Sequence, residues 1–162
     1  MKFLSPTQGL CGSVGNVVDE VIKRIESKPD AEWTVAIGTD SQNKGNTTKF
    51  CRAILVLEKG KGGTYFYSVH SDPRISITQH RMLKETELSI NLGHEFITEL
   101  EDRFFKETFD FSEYNLNLEI HCDLGHNGKS RAAIQAAIGW ITAEFGDSVT
   151  TRIKPDSPAA SY

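Results

Sequence analysis

Two apolar, β-prone runs, Trp33 to Thr39 and Leu116 to Cys122, each lead directly into an aspartate, Asp40 and Asp123. What lies between and around them leaves few ways to fold the chain. After a polar loop, Phe50 to Leu57 reads as a strand, and a Gly-Lys-Gly-Gly turn at 60–63 returns the chain into Thr64 to Val69. So short a glycine-rich link makes this pair an antiparallel hairpin. A long helix is expected from about Ile77 to Phe104, where Ser76-Ile77-Thr78-Gln79 has the form of a capping box. Its inner stripe is Met82, Ser89, Gly93, Phe96, Leu100 and Phe104, in which Ser89 and Gly93 permit close approach to a sheet. Leu116, Leu118, Ile120 and Cys122 alternate with polar residues, as in a half-buried strand. A helix near Lys129 to Phe145 would bury Ile134, Ala137, Ile138, Ile141 and Phe145, with Gly146 as its C-cap, before a last strand at Val149 to Lys154. The order from Trp33 is therefore βββαβαβ. It predicts an α/β fold with a central mixed five-stranded sheet, an antiparallel hairpin plus parallel strands, flanked by helices.

Ahead of this unit, Val14, Val17, Val18, Val21, Ile22 and Ile25 recur at helical spacing up to Pro29. Residues 1–30 are thus expected to be an N-terminal helical extension of one 162-residue domain. No run approaches the roughly 18 apolar residues of a membrane-spanning helix. The N-terminal stretch, interrupted by Pro6, lacks the apolar region of a signal peptide. Cys11, Cys51 and Cys122 are widely spaced and form no C-x-x-C, which points to a reducing, cytoplasmic setting. The net charge of −4 argues against avid, non-specific binding of nucleic acid through bulk electrostatics. A nucleic-acid substrate would be held by local basic residues, or through cations that neutralise an acidic site.

Asp40 and Asp123 are the first candidates for chemistry. If their strands are parallel neighbours, both carboxylates emerge at the carboxyl edge of the sheet, where α/β proteins bind ligands. Hard divalent cations take oxygen ligands, usually one or two carboxylates with water and substrate phosphate. An aspartate after a strand also serves as an ordinary turn residue, and that reading stays open. Glu85 lies on the helix stripe between Met82 and Ser89, where a carboxylate is costly unless it binds something. Glu87 is offset toward the flank with Leu83 and Ile90, so it is the alternative helix carboxylate.

The βββαβαβ order, with an acid after the first strand, one on the next helix and one after the fourth strand, resembles ribonuclease H. More narrowly, G-T-D-S-Q at 38–42, R-M-L-K-E-T-E-L-S at 81–89, H-C-D-L-G at 121–125 and I-K-P-D-S-P-A-A-S at 153–161 resemble the YkuK-type, ribonuclease-H-like family. The resemblance covers nearly the whole chain from Trp33. It implies a ribonuclease-H-like fold and metal-dependent hydrolysis of phosphodiester bonds by a two-metal-type mechanism, with Mg²⁺ or Mn²⁺. RNA, RNA–DNA hybrid and branched DNA are the substrates it suggests. By the same resemblance Asp40 would be the central, bridging ligand, and Glu85 and Asp123 would complete the site. Ribonuclease H carries a fourth acid on a final helix, which this chain would only be beginning at Ala159-Ala160. Asp156 is the late carboxylate expected to take that position, unless the position is absent or a partner chain supplies it.

Ser41 and several basic residues are candidates for holding substrate. Lys129 and Arg131 stand in the first turn of a helix, where backbone amides favour phosphate. Lys154 precedes Asp156, and Arg81 precedes Glu85 by about one helical turn. His126 follows Asp123 in a loop, where it could shuttle a proton or be an ordinary loop histidine. The glycines at 60–63 and the Gly125 to Ser130 run do not have the P-loop spacing. No aromatic-rich basic strip of the kind used for base stacking stands out along the chain. A homodimer would help a small acidic protein grip a long substrate. The alternative to a nuclease is a catalytically inactive adaptor domain that keeps the fold to bind nucleic acid or protein, because function lives in the site rather than the fold.

Overall fold

The computed structural model describes residues 1–6, 9–122 and 131–153, and of Arg131 the backbone only. In chain order these form β1 (Phe3–Ser5), β2 (Gly9–Gly12), α1 (Val14–Ser27), β3 (Trp33–Lys44), β4 (Thr47–Glu58), β5 (Gly62–Pro73), α2 (Thr78–Phe104), β6 (Leu116–Cys122), α3 (Arg131–Phe145) and β7 (Thr150–Ile153). All seven strands join one mixed sheet in the order β2-β1-β5-β4-β3-β6-β7. β3, β4 and β5 pair antiparallel, whereas β3–β6 and β6–β7 are parallel. The predicted glycine turn is where the β4–β5 hairpin reverses, with Gly60 and Gly62 at φ of 81° and 87°. Only glycine enters that region at no steric cost.

The sheet has seven strands rather than the expected five. The two extra strands, β1 and β2, lie at the edge beyond β5 and are three and four residues long. Residues 1–30 are therefore more than a helical extension, because β1 pairs with β5 through Leu4 and Tyr67. α1 does form where predicted. Ser13 caps it reciprocally with Asn16, and Val14, Val17, Val18, Val21 and Ile25 are buried in the main core. Arg103 of α2 ties it down further, through bonds to the Gly15 carbonyl at 3.0 Å and to Asp19 at 2.5 Å.

The expected capping box of α2 does not form. Ile77 is the N-cap and makes no side-chain cap bond, while the Ser76 hydroxyl receives a bond from Arg74 Nε at 3.2 Å. Other contacts hold the start of this helix over the sheet. Thr48 Oγ1 accepts from the Ile75 amide at 2.8 Å, and Asn43 Nδ2 donates to the Ile75 carbonyl at 3.1 Å. These bonds fasten the entry to α2 onto the tip of the β3–β4 hairpin.

The helices pack on one face of the sheet. Met82, Phe96 and Leu100 of α2 are buried there with Val35 and Ile37 of β3, Ile120 of β6 and Ile141 of α3. At Gly93, an added Cβ would come within 2.9 Å of Phe145 Cζ and 3.4 Å of Ile120 Cδ1, so the bare backbone lets α2 sit close to β6 and α3. On the other face Ala36 and Leu55 are buried beside Leu57 and Tyr65, and no described helix packs there. Among the described residues, no helix is long and apolar enough to cross a membrane.

Candidate functional site

β3 does not stop at Thr39. Its ladder with β4 continues residue by residue to the pair Lys44–Thr47, so Asp40 lies inside the strand, opposite Cys51, rather than after its end. Along the other edge the described β3–β6 ladder ends at Gly38–His121, which puts Asp40 two residues past the last parallel pair. The expected location at the carboxyl end of parallel strands therefore holds, although the reason for it differs.

Successive side chains of a strand point to opposite faces, and this alternation organises the site. Thr39 and Ser41 face α2. Thr39 Oγ1 lies 2.8 Å from Ser89 Oγ, and Ser41 Oγ donates to Glu85 Oε2 at 2.5 Å. Asp40 takes the opposite face, where it lines a recess of about 140 Å³ with Gln42, Lys49 and Cys51. The Ser41 amide donates to Asp40 Oδ1 at 2.9 Å. One residue thus links the two acids, its hydroxyl on Glu85 and its N–H on Asp40.

The two helix carboxylates have different partners. Glu85 is half-buried and engages Ser41, whereas Glu87 pairs with Lys84 one turn earlier at 3.0 Å. Arg81 is half-buried on α2 one turn before Glu85. Arg131 opens α3. Asp123, His126, Lys129, Lys154 and Asp156 lie outside the described residues. Asp123 directly follows Cys122, the last residue of β6.

The thiols nearby are held protonated. Burial pushes Cys122 from 9.0 up to about 12, and the charge of Glu85 adds to the shift. Glu85 is therefore felt at the end of β6 as well as at Ser41. Burial also raises Cys51, followed by the charge of Asp40. Among the described residues no group of three or more His, Cys, Asp or Glu is gathered for a metal. What Asp40, Glu85 and Ser41 offer is oxygen, beside thiols that stay neutral. Carboxylate and hydroxyl oxygens are the ligand type that hard divalent cations take.

The Cys122 thiol carries a prediction of its own. In the unfolded chain it ionises near 9.0, while in the folded protein it keeps its proton to about 12. Raising the pH through that window favours the unfolded chain, by up to about 1.4 kcal/mol per pH unit from this group. Urea midpoints measured from pH 8 to 11 should fall more steeply for the parent than for Cys122→Ala. Parallel curves would count against the shift.

Lys49 and Cys51 are neighbours of Asp40 that sequence reasoning missed. Each belongs to another strand, and only the register Asp40–Cys51 and Gln42–Lys49 brings them in.

The ribonuclease H-like family model matches residues 16–162. The uncharacterized protein YkuK of Bacillus subtilis (strain 168) is 30% identical over 153 residues, covering 90% of this chain and 84% of that protein. Among solved structures, ribonuclease H1 from the halophilic archaeon Halobacterium salinarum NRC-1 matches at a TM-score of 0.35 and 14% identity, over 78% of this chain and 89% of the other. The family match spans most of the sequence, and YkuK matches at 30% identity across most of both chains. The chain belongs to the ribonuclease-H-like family and is of the YkuK type.

Proposed function

We propose that the protein is a metal-dependent nuclease that hydrolyses phosphodiester bonds in RNA, RNA–DNA hybrid or structured DNA. Asp40, Glu85, Asp123 and Asp156 would hold Mg²⁺ or Mn²⁺. What supports this reading is that Asp40 and Glu85 both engage Ser41 just past the β3–β6 ladder, reaching it from the two faces of the strand. Bound divalent cations would supply an activated water and offset charge on the leaving oxygen. The chain itself restrains the carboxylates: each has an oxygen fixed by Ser41, which removes rotamer freedom before any ligand arrives. Lys49 stands in the Asp40 recess, placed to meet a substrate phosphate. Arg81, Lys129, Arg131 and Lys154 would take phosphates along the rest of the strand.

We place the protein in the cytoplasm, in keeping with its three free cysteines, and allow for a homodimer that grips long substrates.

Ser41→Ala isolates the positioning role. Removing the hydroxyl keeps both carboxylates but takes one bond from Glu85, and outer partners of metal ligands are worth roughly 10- to 100-fold in metal affinity or activity. Cleavage at limiting Mg²⁺ should fall by that order and recover in part at high Mg²⁺. The reading itself is tested with labelled RNA, hybrid and branched DNA incubated with Mg²⁺ or with EDTA. Cleavage in Mg²⁺ alone supports it. Binding without cleavage of any of the three would favour the adaptor reading.

A further inference from the structure

The segment T-Y-F-Y-S-V-H at 64–70 places Tyr65, Tyr67 and Val69 on one face of β5, while Phe66 goes into the main core. That face is the one Asp40 shares. The ladders run Asp40–Cys51–Val69 and Gly38–Ala53–Tyr67 across β3, β4 and β5. Here Pro6, Lys49, Cys51, Tyr65, Tyr67 and Val69 line a recess of about 280 Å³. The Tyr65 and Tyr67 rings stand 6.0 Å apart, and both are half-buried, so part of each ring stays accessible. Val69 is 44% exposed, and Leu4, opposite Tyr67, is 38% exposed.

This recess is continuous with the one at Asp40, because Lys49 and Cys51 line both. Lys44, also exposed, falls on the same face by strand alternation, at the hairpin tip beyond Gln42. Lys49 and Lys44 therefore lie toward the hairpin tip from Asp40, and the tyrosines lie two strands away, displaced in the other direction along them. With strands about 4.8 Å apart and residues about 3.4 Å apart along them, Tyr67 lies roughly 12 Å from Asp40. A short run of nucleotides covers that distance.

We infer that this sheet face binds single-stranded nucleic acid, with bases against Tyr67 and Tyr65 and backbone along Lys49 and Lys44, leading the strand to Asp40. The inference deepens the nuclease reading and rests on it, since it names the substrate class of the same site. A duplex keeps its bases stacked inside and cannot offer their faces to tyrosine, whereas an unpaired strand can. Stacking on tyrosine is tolerant of sequence, because every base has a π-face. The lysines favour a phosphate-bearing strand over an apolar protein partner.

Fluorescence anisotropy in EDTA, with labelled 12-nucleotide RNA, the same DNA and the matched hybrid, tests this on the whole protein. Single strands should bind more tightly than the hybrid, and the RNA and DNA arms report which sugar is preferred. Tyr67→Ala should weaken single-strand binding by at least about fivefold, the low end for loss of one stacked base, and Tyr67→Phe should restore it. Because Tyr67 also pairs with β1, Lys49→Gln is a second arm that disturbs no packing. It should reduce the salt dependence by about one phosphate contact. Unchanged affinity in both Tyr67→Ala and Lys49→Gln, or preference for the hybrid, would overturn the inference. So would a dimer in sedimentation that dissociates on Tyr67→Ala, since the face would then be an interface between copies. Asp40→Asn separates the two readings. Tyrosine-dependent binding with no cleavage by the parent keeps the surface and removes the nuclease. Asp40-dependent cleavage indifferent to Tyr67 and Lys49 does the reverse.

Discussion

Asp40→Asn is expected to lower Mg²⁺-dependent cleavage by more than about 100-fold while leaving the protein folded. Outer partners of metal ligands already cost roughly 10- to 100-fold when removed, and a direct ligand should cost more. The fold should survive because Asp40 is exposed and the carboxamide keeps an oxygen to accept the Ser41 amide. Cleavage rates, read beside thermal melting of the same sample, separate these effects. Equal cleavage by parent and variant would show that Asp40 holds no essential ligand. A variant that melts far below the parent would give Asp40 a structural role instead.

Phe96→Ala is expected to cost about 3–5 kcal/mol of stability. Phe96 is fully buried, at 0% exposure, in the core between α2 and the sheet. Truncation to alanine loses the transfer free energy of the ring and leaves a cavity that neighbours fill only in part. A domain of this kind has about 5–15 kcal/mol in total, so the variant should approach the unfolding threshold. Phe105 supplies the contrast, since it is 94% exposed just past α2 and its replacement by alanine should change stability by about 0.5 kcal/mol or less. Urea denaturation of the three proteins gives both numbers. A Phe96→Ala cost below about 1 kcal/mol would mean that α2 is not packed as described.

The middle of the fold was legible because its signals are local. Glycines at 60–63 turn the β4–β5 hairpin, and an apolar stripe from Met82 to Leu100 lays α2 on the sheet. β1 and β2 were not legible. Each is too short for a period of two to declare itself, Pro6 and Gly9 interrupt the run, and the register shifts between Phe3 and Leu4. The end of β3 was hidden for another reason. Gln42, Asn43 and Lys44 are polar, and only pairing with Thr47, Thr48 and Lys49 makes them strand. The capping box failed because α2 starts one residue later, with Ile77 rather than Ser76 as its N-cap, and Ser76 accepts from Arg74 instead.

The site divides in the same way. Glu85 stood out in the sequence by its place on the helix stripe, and the structure gives it a different partner from Glu87. That Ser41 touches both acids depends on β3 continuing as a strand, which its composition concealed. The linear sequence also does not show which aromatic and basic residues come to share a face. Tyr65 and Tyr67 come from β5, Lys49 from β4 and Lys44 from β3, and the sheet assembles them on one face.

Calorimetric titration of Mg²⁺ and Mn²⁺ into metal-free protein, alongside Asp40→Asn and Asp123→Asn, tests the central claim most directly. Saturable binding by the parent that is lost in both variants is the expected result. No binding by the parent, even with a nucleic-acid strand present to lend its phosphates, would contradict the metal site and with it the nuclease.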